Sequence, residues 1–455
     1  MLQYKEEVEK KALSWFNELL RIDTSNPPGN EKLAIDYIAK LVKSFGLEPQ
    51  IIAKDSNRPN LFVAIDGAKP GPKILLSSHV DVVPIENKNS WRFDPFSATE
   101  ADDCIWSRGT LDMKFKTAFD LALLSTAIDQ KDSFSGRIEM VCLADEEVSF
   151  EHGSRFLMQE HRDLFQSTHV FNESGGFNFQ LGDSEFLVFL AGEKHLAQLR
   201  LHTSGISTHS SLPPKDTAIN LLGQLIASFA NEFLGYQLCP TSLAFLDGIE
   251  ANSSPALKPL VSMLKDANSV ETALSMLPDP FVQVQLRSML CHTLASTRIG
   301  GGFAANVIPE SAWVDFNCRI VPNVTIKDFS ELVQKFISIS FPKFSDRVHL
   351  EFLDEDLGYE IKTDDQLFKA VTDGLEDFWS SKPTKPKAVP ILLPAGSDCR
   401  NYAQAGINPI GFAPLYFPPG FPGFSLAHAV DERVPISAFK DGLKAFVNVI
   451  AKILK

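Results

Sequence analysis

The chain has 455 residues, of which 44% are hydrophobic and 22% charged, and its formal net charge is −14. This length predicts two domains, since a single hydrophobic core rarely serves more than about 300 residues. The acidic balance argues against nucleic-acid binding, which needs clustered Lys and Arg, so we expect no nucleic-acid partner.

The cysteines and the amino terminus indicate the compartment. The six cysteines are scattered without a Cys-x-x-Cys pair, which in a chain of this length favours free thiols in a reducing compartment. The first seven residues lack the apolar core of a signal peptide. The longest obvious apolar run, Phe186–Ala191, is too short to span a bilayer. We therefore expect a cytoplasmic protein with no membrane partner.

Hydrophobic spacing and turn residues predict strands that alternate with helices over the first 194 residues. The predicted helices cover residues 5–20, 31–46, 114–129 and about 152–160. The predicted strands cover residues 48–53, 61–66, 73–78, 104–106, 137–144 and 169–172. Such alternation is typical of a mostly parallel sheet with helices on both faces.

The pattern changes near residue 195 to the order β-α-β-β-α-β, which is that of a ferredoxin-like unit. Its predicted elements cover residues 195–203, 217–229, 294–307, 312–321, 326–340 and 348–353. A mostly helical insertion occupies residues 235–290. Beyond residue 364 the alternation resumes, with strands at 388–393 and 408–412 and a helix at 436–454. The sequence thus predicts an α/β main domain (1–194 and 356–455) that carries an inserted α+β lid (195–355).

Acidic residues or histidine follow four of the predicted strands of the main domain. These residues are His79 and Asp81, Asp112, Glu146 with Glu147, and Glu173. In open α/β sheets, ligands collect beyond the carboxyl ends of the strands, and histidine nitrogen with carboxylate oxygen suits catalytic zinc. Three clustered carboxylates would repel one another without cations, whereas two divalent ions and a hydroxide would balance them. The pattern therefore predicts a site for two metal ions.

Several of these residues also have an ordinary interpretation when taken alone. A histidine that ends a buried strand, such as His79, is often structural, and His428 in the loop 426–433 is often a surface histidine. Asp112 fits a helix N-cap, which is compatible with metal binding. Glu173 precedes Ser174-Gly175-Gly176, a typical turn sequence.

Two details favour a catalytic role for these residues over a purely structural one. The side chains of Glu146 and Glu147 point in different directions if they extend a strand, so one can bind a metal while the other contacts the bound water. Asp81 lies two residues after His79, where it can accept a hydrogen bond from the second ring nitrogen and orient the ring.

Together the motifs resemble the dinuclear zinc aminoacylase and carboxypeptidase family. That family includes aminoacylase, carboxypeptidase G, acetylornithine deacetylase, succinyl-diaminopimelate desuccinylase and carboxypeptidase-S-like enzymes. The matching motifs run in order along nearly the whole chain: His79–Pro84, Arg108–Lys114, Asp145–Glu147, Asn172-Glu173, Asn306–Pro309, and His428 with Asp431–Arg433. The resemblance implies a zinc-exopeptidase-like fold, a lid and a homodimer formed through that lid.

The resemblance also implies roles for the candidate ligands. Asp112 is expected to bridge two zinc ions, with His79 and Glu173 on one ion and Glu147 and His428 on the other. Cobalt or manganese could occupy the same ligands. Glu146 matches the general base that takes a proton from the bridging water and returns it to the leaving amine. A cis peptide bond after the bridging aspartate, between residues 112 and 113, is also implied.

The substrate residues rest on the same resemblance. His209 in the lid matches a histidine that reaches into the partner's site in family dimers and stabilises the oxyanion. Asn306 and Arg319 resemble residues that hold a substrate carboxylate, for which a planar guanidinium is well suited. Arg400, in a loop that matches the family's substrate side, is a further candidate.

The implied reaction is hydrolysis of the amide bond of a peptide or an N-acyl amino acid. The chain departs from the commoner family pattern where Phe115-Lys116 and Ser149-Phe150 replace usual glycines. With the irregular lid segment, the apolar loop Leu415–Phe424 favours the larger carboxypeptidase-S-like and N-acyl-amino-acid hydrolase branch, and we interpret it as a sign of an apolar pocket.

Two alternatives remain open at this point. One is a regulatory protein that binds metal but has lost catalysis, although an intact Glu146 argues against it. The other is a cysteine hydrolase that uses Cys142 or Cys399 with a histidine.

Overall fold

The computed structural model describes residues 1–233 and 235–455. The helices are α1 (Glu6–Arg21), α2 (Glu31–Ser44), α3 (Lys114–Asp129), α4 (Ser154–Glu160), α5 (Ala218–Asn231), α6 (Pro240–Asn252), α7 (Lys258–Leu264), α8 (Val270–Ser275), α9 (Pro280–Leu290), α10 (Ile326–Ser340), α11 (Gln366–Trp379), α12 (Cys399–Gln404) and α13 (Ile436–Ile453).

The strands are shorter and more numerous. They are β1 (Gln50–Ile52), β2 (Asn60–Asp66), β3 (Lys69–His79), β4 (Thr99–Ala101), β5 (Cys104–Trp106), β6 (Ser135–Leu143), β7 (His169–Asn172), β8 (Gly175–Leu181), β9 (Ser184–Glu193), β10 (His195–Ser204), β11 (Thr208–His209), β12 (Thr293–Gly301), β13 (Val307–Ile308), β14 (Ser311–Ile320), β15 (Val348–Asp356), β16 (Tyr359–Glu360), β17 (Lys387–Leu393), β18 (Asn408–Gly411) and β19 (Arg433–Pro435).

The main sheet has the order β1-β2-β6-β3-β7-β18. The four strands β6, β3, β7 and β18 are parallel neighbours, and β2 and β1 complete one edge in antiparallel pairing. Every residue of α3 from Lys114 to Ala127 is buried, including Lys116 and Asp120, which form an ion pair within the helix. This sheet and its helices confirm the predicted α/β fold.

A second sheet, which has the order β16-β9-β17 and in which β8 also pairs with β9, was not foreseen as a separate layer. Its central strand β9 contains the apolar run Phe186–Ala191, and all six of those residues are buried. A strand that is covered on both faces has such a continuous apolar run instead of an alternating pattern.

The lid sheet has the order β12-β14-β10-β15, and all its pairs are antiparallel. With α5 and α10 it forms the predicted β-α-β-β-α-β unit. In β10, buried Ala197, Leu199 and Leu201 alternate with more exposed residues, which is the pattern of a sheet with one covered face. The strand predicted at 294–307 ends at Gly301, because the chain turns at Gly302 (φ +78°) before β13 pairs with β11.

The helical insertion, α6 to α9, lies between α5 and β12 in sequence but packs against the second sheet. Phe245 of α6 and Leu286 of α9 share a buried apolar cluster with Phe186, Val188 and Val389 of β9 and β17. The lid sheet itself begins at residue 195 and ends at residue 356. The division into a main domain (1–194 and 356–455) and a lid (195–355) stays a prediction.

Among residues 1–233 and 235–455, we find no helix whose length and apolar character would carry it across a membrane. The cytoplasmic location stays a prediction.

Candidate metal centre and adjoining pocket

Three neighbouring parallel strands bring the predicted ligands to one edge of the main sheet. His79 is the last residue of β3, Glu146 and Glu147 follow the end of β6, and Glu173 directly follows β7. Because β6, β3 and β7 are adjacent and parallel, their carboxyl ends meet at the same edge. The remaining two residues, Asp112 and His428, come from the loops before α3 and before β19.

The ligand atoms form two overlapping sets that share Asp112. One set is His79, Asp112 and Glu173; the other is Asp112, Glu147 and His428; within each, the ligand atoms lie within 4.8 Å of one another. The two carboxylate oxygens of Asp112 face different histidines, since Oδ1 is 3.0 Å from His79 Nε2 and Oδ2 is 3.0 Å from His428 Nε2. This is the arrangement that a carboxylate bridging two cations requires.

The carboxylates of the cluster together carry more negative charge than the surrounding protein groups can balance. Burial, together with the charge of Asp112, raises the pKa of Glu147 to about 7 and that of Glu173 well above its usual value. Burial and the charge of Glu173 raise the pKa of Glu146 in the same way. One oxygen of Glu147, Oε1, is buried without a hydrogen-bond partner among the described residues. Such a buried oxygen calls for a cation, so the residues present fit two divalent ions.

The two histidines compensate part of this negative charge. Hydrogen bonds to Asp112 and Glu147 raise the pKa of His428 to about 10. Burial alone would lower the pKa of His79, but Asp112 and Asp81 raise it well above the usual value. At neutral pH, a cation that binds His428 must therefore displace a proton from its ring.

Asp81 supports the cluster with its backbone and with its side chain. His79 Nδ1 lies 3.0 Å from the carbonyl oxygen of Asp81, which accepts a hydrogen bond, so Nε2 is directed at Asp112. The Asp81 carboxylate accepts hydrogen bonds from the backbone N–H groups of Glu146 (3.2 Å) and Glu147 (3.1 Å). Asp81 thus fixes both the ring and the turn that carries the two glutamates.

Glu432 joins the two ligand-bearing loops, a role that the sequence motif did not reveal. Its buried carboxylate accepts hydrogen bonds from the backbone N–H of Leu111 (2.8 Å) and from Arg108 Nη1 (2.7 Å). Arg108 Nη2 in turn donates to the carbonyl oxygen of His428 (3.2 Å). No spacing rule would have shown this, because the contact joins segments that are more than 300 residues apart.

Backbone geometry beside the ligands is unusual. Asp145, Ser174 and His428 have φ angles of 63°, 65° and 63°, in the left-handed region that non-glycine residues rarely adopt. Such conformations persist where the surrounding structure holds them, often at functional sites. The peptide bond Asp112–Met113 is cis, as the resemblance implied.

Glu146 stands beside the cluster and belongs to neither ligand set. Its Oε2 atom is 3.9 Å from His79 Nε2, and its side chain is 10% exposed. It also lines a cavity of about 640 Å³ that opens onto the cluster. Glu146 is therefore a carboxylate that faces the cavity and is available to handle a proton.

The cavity wall contains two of the predicted substrate residues, and they differ in charge balance. Arg319 of β14 donates a hydrogen bond to Asn317 Oδ1 (3.0 Å) but has no carboxylate within 4.0 Å in the described chain. Arg400 is buried, with Nε 3.1 Å from Glu193 and Nη1 3.3 Å from Asp356. Arg319 thus offers an uncompensated charge to a ligand, whereas the charge of Arg400 is already paired.

His209 and Asn306 lie outside the cavity. Both are exposed on the lid, where His209 in β11 pairs with Val307 in β13. The carbonyl oxygen of Asn306 accepts a hydrogen bond from the N–H of Ser210 (3.0 Å). Within one chain the structure does not bring them to the metal cluster, and their roles stay predictions.

The candidate cysteine nucleophiles have unsuitable surroundings. Cys142 and Cys399 are buried, and burial raises the pKa of both thiols far above the usual value. A reactive cysteine needs a lowered pKa and some exposure, so this alternative is not supported.

A parallel sheet whose edge carries two overlapping ligand sets and a free carboxylate is typical of metal-dependent hydrolases. The chain belongs to peptidase family M20/M25/M40, whose model matches residues 75–452. This membership confirms the resemblance seen in the sequence, and it indicates a metal-dependent hydrolase that acts on amide bonds.

Relatives and solved structures agree with this membership over the whole chain. Aminoacylase-1 of Sus scrofa is 25% identical over 458 residues, covering 98% of this chain and 96% of that protein. N-fatty-acyl-amino acid synthase/hydrolase PM20D1 of Mus musculus is 26% identical over 466 residues, covering 97% and 87%. An M20 family metallo-carboxypeptidase from Sulfolobus solfataricus has a similar fold, with a TM-score of 0.67, 17% identity and coverage of 97% and 99%.

Proposed function

We propose that the protein is a two-zinc amidohydrolase that cleaves the amide bond of N-acyl amino acids or peptides, with Glu146 as the general base. The observation that carries this proposal is a free carboxylate, Glu146, directed into a cavity beside two ligand sets that share Asp112. The similarity to an aminoacylase over nearly the full length of both chains supports the same reaction class.

His79, Asp112 and Glu173 would hold one zinc ion, and Asp112, Glu147 and His428 the other. When bound, the ions would polarise the amide carbonyl and lower the pKa of a water molecule between them. Cobalt or manganese would fit the same nitrogen and oxygen donors.

The residues of the chain then carry the proton and position the substrate. Glu146 accepts a proton from the attacking water and donates it to the amine nitrogen as the carbon–nitrogen bond breaks, so the products are a carboxylate and an amine. Its raised pKa, which results from burial and the charge of Glu173, suits a group that must hold a proton between these two steps. The unpaired guanidinium of Arg319 would bind the substrate carboxylate in a bidentate contact.

We include a homodimer formed through the lid in this proposal. The exposed positions of His209 and Asn306, outside their own cavity, are compatible with their entering the site of a second copy. Sedimentation of the purified protein tests the dimer. Mixing His209→Ala with Glu146→Gln chains tests the shared site, because a mixed dimer regains one intact site from two inactive parents, and no recovery would contradict it.

The general base is tested with Glu146→Gln, which keeps the shape of the side chain and removes its basicity. We expect the variant to retain two zinc ions per chain by elemental analysis, while turnover of N-acetyl amino acids and dipeptides falls by about 10²- to 10⁴-fold. Glu160→Gln, at an exposed glutamate in α4, is the matched control. Wild-type turnover in Glu146→Gln would contradict the role of base. A wild-type protein that binds two ions but hydrolyses none of these amides would support the regulatory alternative instead.

A further inference from the structure

The cavity beside the metal cluster has a large apolar wall that comes from two separate parts of the fold. The second sheet and the helical insertion both contribute to it: Phe177 of β8, Val188 of β9, Ile391 of β17, Phe245 of α6, and Leu286 and Met289 of α9. Because these residues belong to one buried cluster or pack against it, the wall is a continuous apolar surface.

The size of the cavity exceeds what a single amino-acid side chain needs. A cavity of about 150 Å³ is enough to hold a benzene ring. The cavity here is about 640 Å³, which is in the range of pockets that bury whole small molecules. An amide at the metal cluster with only a short acyl group would leave most of the apolar wall in contact with water.

The charged residues that line the cavity come from outside the helical insertion. They are those of the metal cluster, Glu146, Arg319 and the paired Arg400, whereas the insertion contributes one neutral amide, Gln285. An acidic acyl group on the apolar side would lose its hydration without gaining an ion pair, which is costly. A hydrocarbon chain makes no hydrogen bonds to water, and its transfer from water to an apolar surface is favourable.

Two aromatic residues extend the apolar surface towards the cluster. Phe115 at the start of α3 and Phe150 after Glu147 occupy positions where the family that the sequence resembles commonly has glycines, and both line the cavity. From the loop that the sequence suggested as the apolar pocket, Leu415–Phe424, the cavity lining includes Phe424. The second sheet and the insertion therefore share the apolar wall with residues from other parts of the chain.

We propose that the cavity binds the hydrocarbon chain of long-chain N-acyl amino acids, and that α9 of the helical insertion determines this specificity. The proposal rests on the proposed function for the position of the amide at the metal cluster. It adds the substrate class and the residues that select it.

The test is a series of N-acyl leucines, from acetyl to hexadecanoyl, given to the zinc-loaded protein below the micelle concentration of each substrate. Burial of one methylene group contributes about 0.8 kcal/mol, so kcat/KM should rise about fourfold per added carbon until the cavity is filled. A rate that stays flat or falls with chain length overturns the proposal. A preference for succinyl over acyl chains of equal length does so as well.

Met289→Trp, which fills the cavity from α9, should lower the ratio of kcat/KM for dodecanoyl- over acetyl-leucine at least tenfold. Val284→Trp places the same indole side chain on the exposed side of the same helix, where Val284 is 63% exposed, and should keep the wild-type ratio. Thermal unfolding and zinc content show whether each variant is folded. Equal ratios in the two folded variants would remove α9 as the specificity element.

A binding measurement separates the two proposals. The Glu146→Gln protein should bind dodecanoyl-leucine more tightly than acetyl-leucine by calorimetry. Tighter binding of the long chain without hydrolysis by the wild-type protein would overturn the amidohydrolase and leave the cavity assignment standing. Hydrolysis of all chain lengths at equal rates would overturn the cavity assignment and leave the amidohydrolase standing.

Discussion

Binding of cations to the metal centre must displace protons, because four of its ligands have raised pKa values. The pKa is about 10 for His428 and about 7 for Glu147, and those of His79 and Glu173 lie well above their usual values. At pH 7, His428 holds a proton and Glu147 holds one in about half of the molecules, and the raised pKa values of His79 and Glu173 favour their protonated forms. We therefore expect two zinc ions to release more than one proton per chain at pH 7.

The sign of the pH dependence follows from this release. Each proton displaced changes the apparent binding constant about tenfold per pH unit, so affinity falls as the pH falls and protons compete for the ligands. For the two ions together, we expect a loss of more than one order of magnitude for each unit below pH 7. The dependence weakens above pH 10, where His428 has already lost its proton without metal.

Calorimetric titration with zinc, at one pH and in buffers of different ionisation enthalpy, counts the protons directly. His428→Asn should lower the count by at least one. His349→Asn, at an exposed histidine of the lid strand β15, should leave it unchanged. Release of fewer than one proton per chain would refute the reasoning, because it would mean that the ligands are not protonated competitors of the metal.

Three further substitutions give distinct expected outcomes. Arg319→Ala should raise KM by about 10- to 150-fold with a smaller change in kcat, because a charge-assisted hydrogen bond to the substrate carboxylate is lost. Arg319→Lys should recover part of the lost affinity, and an unchanged KM in Arg319→Ala would exclude this contact. Glu193→Ala leaves Arg400 buried with one partner fewer and should lower the free energy of unfolding by about 3–5 kcal/mol in denaturant titrations, whereas the exposed Glu351→Ala should change it little. Asp81→Ala should weaken zinc binding by about 10- to 100-fold in competition with a chelator, and retained affinity would show that the turn of the two glutamates holds without it.

The strand-end pattern in the sequence led to residues that lie together in the structure. His79, Glu147 and Glu173 could be found because an acidic residue or histidine after an apolar run is a local signal, and parallel strands carry it to one edge. Asp112 belonged to the same pattern although it lies on a loop, whereas only the family resemblance paired His428 with the others. Their approach depends on the contact of Glu432 with a distant loop, which no local pattern encodes.

The arrangement of the layers was predicted less completely than their elements. The β-α-β-β-α-β order of the lid and the helical character of residues 235–290 could be recognised from periodicity. Helix amphipathicity shows which face is apolar but not which sheet will cover it, so the packing of α6 and α9 on β9 and β17 was missed. The continuous apolar run 186–191 was the available sign that another layer had to lie there.

The helical insertion supplies part of the cavity wall but none of the ligands of the two sets. The ligand sets and this part of the cavity wall therefore come from different stretches of the chain. Substitutions within residues 240–290 can change this part of the wall while the ligand residues, which lie at 79–173 and at 428 in the sequence, stay the same. In a protein organised in this way, the range of ligands that the cavity accepts can change while the residues of the metal centre do not.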